Sequence, residues 1–246
     1  MRTVVVGASS GLGRCIGVGL AQRGAETALL ARRHDRLVEA AKEAGPGTLA
    51  IACDVTDETS CRAAIEEAAN GLGGIDALIY ATGIGPLARL ADLDASVWRR
   101  TFDTNVTGAA LVTAAALPHL TASNGRAIYL SSISASQTPP WPGLGAYAVS
   151  KAALDKLVEA WHAEHPAIGF TRLVVGDCAG GDGESMTQFA SDWDMELIGA
   201  FHPIWSARNY TSGTLLEVEE LVRVIHNLLG CAGGTNIPSV VVAPRS

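Results

Sequence analysis

The stretch GAYAVSKAAL, Gly145 to Leu154, places Tyr147 four residues before Lys151. Positions i and i+4 share one face of a helix, so this spacing sets a phenol beside an ammonium. A free phenol has a pKa of about 10, too high to exchange protons easily at neutral pH. A neighbouring positive charge favours the phenolate and lowers that value. Tyrosine then becomes a usable general acid and, in reverse, a base. The same residues would also suit an ordinary surface helix with a half-buried tyrosine, so the elements around them decide.

Leu154, Leu157, Val158 and Trp161 continue the stretch as an apolar stripe at helical spacing. Elsewhere, short apolar runs alternate with longer helix-like segments. The runs lie at 3–7, 27–31, 48–53, 76–81, 127–132, 171–175 and 239–243. Most are continuous rather than alternating, as expected of strands buried on both faces. Seven such strands with intervening helices predict an α/β fold, a doubly wound parallel sheet with helices on both faces. The length, 246 residues, fits one domain spanning 1–246. Residues 176–214 read as one long irregular region, the expected form of a substrate lid.

The first strand runs into GASSGLG, Gly7 to Gly13. At a strand-to-helix turn, glycines let the backbone approach a pyrophosphate, and the helix N-terminus supplies free N–H groups. A tight turn with no ligand would need the same glycines. The second strand ends in Ala31, Arg32 and Arg33, where a cofactor with free ribose hydroxyls would call for a carboxylate. A guanidinium pair suits a 2′-phosphate, so NADP(H) is expected over NAD(H). The third strand ends in CDVTD. There Asp54 can accept from an adenine amino group, with Val55 covering the ring, although helix capping is also open to Asp54, Thr56 and Asp57.

GASSGLG, CDVTD, FDTNVTG, YLSS and YAVSK stand in order along the chain. In sequence and spacing they resemble the compact single-domain branch of the short-chain dehydrogenase/reductase family, up to about residue 175. The resemblance implies a Rossmann-type fold, a nicotinamide cofactor and an Asn-Ser-Tyr-Lys active site: Asn105, Ser132, Tyr147 and Lys151. Ser132 lies 15 residues before Tyr147, about two more than usual, and Ser134 is the second choice. In this reading Ser132 meets the substrate oxygen, Asn105 holds a water linking Lys151 to solvent, and Lys151 also holds the cofactor ribose. Cofactor contacts are expected from Gly7, Ser9, Ser10, Gly11, Leu12, Gly13, Arg32, Arg33, Asp54, Val55, Gly83, Tyr147 and Lys151. Gly176 and Thr187 stand for the family's glycine and threonine after the sixth strand.

The chain departs from the pattern at YATG (80–83), at GDCAGGDGES (176–185) and in its C-terminal strand, which lacks a glycine-rich tail. Trp141, Phe189, Trp193, Phe201, Trp205 and Tyr210 fall in segments expected to border the pocket. They either line a site for a bulky apolar ketone, aldehyde or quinone or simply anchor the lid. Cys178 nearby reads as a bystander rather than a reactive thiol. Two rival functions remain: a cofactor-binding sensor without turnover, and an epimerase or dehydratase, which the short chain disfavours. A net charge of −7 argues against nucleic-acid binding. Five scattered cysteines without CxxC spacing predict reduced thiols and no metal site. The N-terminus reads as a strand rather than a leader, and no membrane span is expected, so the chain reads as cytoplasmic. The family resemblance implies a homodimer or homotetramer through helices at about 95–120 and 147–165 and the last strand.

Overall fold

A computed structural model describes residues 1–210, 213–231 and 234–245. The chain alternates strand and helix from its start. β1 (Arg2–Val6), α1 (Gly11–Gln22), β2 (Glu26–Ala31), α2 (His34–Ala44), β3 (Leu49–Ala52), α3 (Glu58–Leu72) and β4 (Ala77–Tyr80) form the first half. The second half holds α4 (Ala95–Phe102), α5 (Gly108–Ser123), β5 (Arg126–Ser132), α6 (Ile133–Ser136), α7 (Gly145–Glu164), β6 (Gly169–Val175), α8 (Met195–Ala207), α9 (Val218–Leu229) and β7 (Ser239–Val242). The seven strands form one sheet in the order β3-β2-β1-β4-β5-β6-β7, every pair parallel. This is the expected doubly wound sheet, and the seven apolar runs match its strands to within two residues.

Continuous apolar strands serve two cores because successive side chains point to opposite faces. Val4, Val6, Leu78, Tyr80 and Tyr129 pack on one side with residues of α3, α5 and α7. Val5, Leu29, Ile79, Ile128 and Leu173 pack on the other with α1, α2 and α9. Strand order reverses between β1 and β4, so the loops after these strands diverge and leave a crevice at the carboxyl edge of the sheet.

One expectation is corrected here. The 176–214 region is not irregular throughout: α8 crosses it, capped by Asp194, which accepts from the N–H groups of Glu196 and Leu197. Gly199 and Pro203 lie inside this helix and hid it, since both lower helical preference. Thr211 and Ser212, in the same region, lie outside the described residues. One stretch bears on the expectation of no membrane span. Ala95–Ser123 is long and apolar enough to cross a membrane by length and composition, with a mean hydropathy of 1.2. Scattered polar residues break any continuous apolar run there. In the fold, Val112, Ala116 and Leu120 of this stretch pack in the core with α3 and α7.

Candidate active site

The crevice is a cleft of about 1100 Å³. Its walls are the strand ends. Gly7, Ser9, Ser10, Gly11, Leu12 and Gly13 follow β1, Arg32 and Arg33 follow β2, and Asp54 and Val55 follow β3. Gly83 follows β4, Ser132 and Ser134 stand at the end of β5, and Gly176 follows β6. Tyr147 and Lys151, from the first turns of α7, complete the floor.

The turn after β1 is shaped by glycine. Gly7 has φ +92°, a conformation that side-chain-bearing residues rarely adopt, and a Cβ on Gly13 would collide with the Gly7 carbonyl. The backbone therefore folds close under the N-terminus of α1, as phosphate binding requires. Arg33 is not a simple solvated arginine. Its guanidinium donates to Ser9 Oγ at 2.9 Å and to Ser10 Oγ at 2.7 Å. Burial and the nearby Arg36 and Arg32 hold its pKa below the usual arginine value. Positive charge and two hydroxyls are thus gathered at one end of the cleft. Asp54 accepts from Thr56 N–H and Oγ1 at 3.0 and 2.8 Å, while Asp57 caps α3. The capping alternative for Asp54 falls away.

Asn105 is fully buried. It sits in a π-helical turn, Asp103–Thr107, between α4 and α5. Its side-chain oxygen accepts from Ile84 N–H at 2.8 Å, and its amide donates to Ile84 O and Ser150 Oγ, both at 2.8 Å. Asn105 therefore clamps the segment after β4 to α7. Gly83 lies in that segment, and a Cβ there would come within 3.3 Å of Lys151 Nζ.

Lys151 is 4% exposed. Its ammonium donates to the Leu130 carbonyl at 2.6 Å and lies 5.8 Å from the centre of the Tyr147 ring. Burial lowers its pKa to about 8, opposed by the charge of Asp155. Tyr147 behaves differently from expectation. Its pKa is not lowered; burial pushes it up to about 12, with the Ser132 hydroxyl acting in the opposite direction. The lysine is close, but its ammonium is engaged with a backbone carbonyl, and desolvation of the phenolate is the dominant cause. A protonated phenol at neutral pH is the form that gives up a proton.

Ser132 and Ser134 are both buried, with their Oγ atoms 3.0 Å apart. Ser132 Oγ also accepts Ser134 N–H at 3.2 Å. Only Ser132 acts on Tyr147, which favours it over Ser134 as the serine beside the phenol.

Residues from Gly176 into α8 border the other side. Thr187 lies over the phosphate turn, close enough that a Cβ on Gly11 would be 3.4 Å from its Cα. Gly176 lines the cleft, and a Cβ there would press on Ala243 and Pro244 beyond β7. Phe189 meets Tyr147 edge-on, with ring centres 4.9 Å apart. Trp193 and Trp205 donate to Gly85 O and Pro142 O, each at 2.8 Å. The aromatic residues divide by position: Trp141, Phe189, Trp193 and Trp205 line the cleft, and Phe201, Trp205 and Tyr210 join Leu87 and Leu144 in an apolar cluster that anchors α8. Cys178 donates to Ala179 O and Leu216 O, and burial raises its pKa to about 12. It is a packed thiol. All five cysteines are free, and among the described residues no cluster of metal-ligating side chains occurs. Sequence reasoning missed the Arg33 contacts with Ser9 and Ser10, since nothing in the spacing fixes an arginine rotamer. It also missed His202, which α8 brings to the cleft wall.

The short chain dehydrogenase profile matches residues 2–181. 11-beta-hydroxysteroid dehydrogenase A of Sesamum indicum is 35% identical over 179 residues, 70% of this chain and 51% of its own length. Cis-4-hydroxycyclohexanecarboxylate dehydrogenase of Sinomonas cyclohexanicum is 39% identical over 51% of each chain. The chain thus spans about half the length of curated relatives it matches. A short-chain type dehydrogenase/reductase from Mycobacterium marinum superposes with a TM-score of 0.83 at 27% identity, over 98% of this chain and 93% of that one. An archaeal alcohol dehydrogenase from Thermococcus sibiricus, solved with 5-hydroxy-NADP, shares the fold (TM-score 0.79, 23% identity, 98% and 94% covered). Strand order, glycine turn and profile agree: the chain belongs to the short-chain dehydrogenase/reductase family of oxidoreductases.

Proposed function

We propose that the protein is an NADP(H)-dependent oxidoreductase of the carbonyl reductase type, acting on a bulky apolar ketone, aldehyde or quinone and its alcohol. The observation that carries this reading is the convergence of Ser132, Tyr147 and Lys151 on one cleft, beside a glycine turn and a paired cationic end, with Asn105 buried behind them and bonded to Ile84 and Ser150. The residues present fit a dinucleotide. Gly7 and Gly13 leave room for a pyrophosphate, Arg33, Arg32 and Ser9 suit a 2′-phosphate, Asp54 and Val55 suit the adenine, and Lys151 suits ribose hydroxyls. Gly176 suits the nicotinamide end, and Thr187, over Gly11, suits the pyrophosphate. When bound, the nicotinamide supplies the hydride.

The chain's own residues do the rest. Tyr147 hands its phenolic proton to the carbonyl oxygen as that oxygen gains charge. Ser132 Oγ donates a hydrogen bond to the same oxygen, a placement whose value is greatest where water is excluded. Lys151 stabilises the phenolate left behind and restores its proton, and Asn105 holds the floor in register. The aromatic wall of Trp141, Phe189, Trp193 and Trp205 favours a large apolar body; relatives named for hydroxysteroids are consistent with that size. Assembly as a homodimer or homotetramer through α5, α7 and β7, and a cytoplasmic location, belong to the same proposal.

The test is NADPH oxidation by the purified protein against aromatic ketones, diketones, hydroxysteroid ketones and quinones. Turnover on bulky members, faster with NADPH than with NADH, supports the reading. Tight NADPH binding without turnover on any carbonyl would overturn it in favour of a sensor on the same fold.

A further inference from the structure

One buried ionisable group in the floor has no role in the chemistry described above. Asp155 lies on α7, one helical turn beyond Lys151 and on the same face. It is 6% exposed, and its Oδ1 is buried without a hydrogen-bond partner. The two side chains lean over consecutive residues of β5: Lys151 over the Leu130 carbonyl, Asp155 over Ser131. The Ser131 hydroxyl is itself buried and favours the carboxylate, yet neither oxygen closes a hydrogen bond of ordinary length. A carboxylate so poorly satisfied is costly to bury unless a charge compensates it.

The groups that act on Asp155 are few. Lys151 and Glu159 come from its own helix, Arg172 from β6 and the Ser131 hydroxyl from β5. Burial raises the Asp155 pKa above the usual carboxylate value; the Ser131 hydroxyl, Arg172 and Lys151 pull it back, and Glu159 adds to the rise. Arg172 is already bridged to Glu159 at 2.7 Å. Lys151, by contrast, has no other carboxylate acting on it among the described residues.

We propose that Asp155 is a positioning residue of this site: its carboxylate is the buried counter-charge that keeps Lys151 an ammonium. Its use in turnover rests on the reductase reading; its effect on Lys151 does not. Burial drives the lysine towards its neutral form, and Asp155 is the charge that resists. Without it, Lys151 discharges at lower pH and the phenolate of Tyr147 loses its partner.

The composition makes a direct test practical. The chain holds three lysines, and the other two, Lys42 and Lys156, are exposed. Lysine labelled at Cε with carbon-13 therefore gives one buried resonance whose shift follows the Lys151 charge by NMR. In Asp155→Asn the Lys151 midpoint is expected to fall by about one pH unit or more, a tenfold change in its ionisation, and Asp155→Glu should restore most of it. The turnover defect of Asp155→Asn should grow about tenfold from pH 6 to pH 8 as the lysine discharges, a dependence that a loss of packing does not produce. An unchanged midpoint in folded Asp155→Asn overturns the proposal. Should that variant not fold, the wild type decides: the Lys151 signal should show a second, acid inflection where Asp155 takes its proton, and a single inflection overturns the proposal. A shifted midpoint in a protein that reduces no carbonyl would sustain the coupling and sink the reductase reading instead.

Discussion

The floor and the lid of the cleft are built on opposite principles. The floor hangs from strand ends and a 20-residue helix; Asn105, Ser132 and Lys151 are buried and Tyr147 is half-buried. Asn105 makes three hydrogen bonds that tie β4's outlet to α7, so a small shift in either element breaks contacts on both. The lid carries its residues outward: Met195 is 76% exposed and Met186 58%. It is held by an aromatic cluster and two indole hydrogen bonds. A rigid floor suits chemistry that depends on a few tenths of an ångström. A loosely anchored lid can change its lining residues without disturbing the sheet. Under the proposed function, the floor carries the catalysis and the lid the substrate choice.

That division can be broken or sharpened by substitution. The largest effect after loss of the phenol itself is expected at Ser132. Ser132→Ala should lower kcat by roughly 10²–10³-fold, the usual cost of losing one donor to a developing oxyanion. Ser134→Ala, 3.0 Å away, should cost less than about tenfold; steady-state kinetics on both variants decides which serine meets the substrate. Next comes the cationic end. Arg33→Ala removes charge-assisted bonds worth about 1.5–3 kcal/mol and should cut the NADPH-over-NADH preference by roughly tenfold or more in kcat/KM. An unchanged ratio would refute the 2′-phosphate assignment. In the lid, Phe189→Ala should raise KM for a bulky ketone by about tenfold, in line with the 1–3 kcal/mol of an apolar contact in a pocket. Its kcat and thermal midpoint should stay near wild type. A collapse in kcat would show that the lid shares in the chemistry.

The smallest expected change is with pH. Lys151 in the folded chain titrates at about 8 against the ordinary 10.5. Reductive turnover should therefore decline as pH rises through about 8 and the ammonium is lost. The stability contribution of the same group runs the other way. Between pH 8 and 10.5 the unfolded chain binds the proton that the folded chain has shed, so stability gains with pH across that window. Stopped-flow rates and denaturant midpoints over that range should diverge.

The floor was legible in the sequence, and the lid only in its position and aromatic residues, for physical reasons. Strands buried on both faces write themselves as continuous apolar runs, and a glycine turn needs glycine at fixed places; both features are local. The Tyr147–Lys151 spacing is also local, and it placed both residues in the cleft. What the spacing could not give was the balance between the lysine's charge and desolvation, which turned an expected fall in the Tyr147 pKa into a rise to about 12. Nor could it give the π-turn that aims Asn105, because that turn answers to contacts with Ile84 and Ser150 far along the chain. The lid hid α8 behind Gly199 and Pro203, and its rings find their partners only through tertiary contacts such as Trp205 with Pro142.

The central claim is that the Tyr147 phenol is the proton donor of a carbonyl reduction. It is tested most directly by single-turnover NADPH oxidation in wild type and Tyr147→Phe, with NADPH binding measured in parallel by fluorescence. The account predicts unchanged binding and a rate lower by about 10²–10⁴-fold, the range of general acid catalysis. A Tyr147→Phe rate within a few-fold of wild type would contradict it.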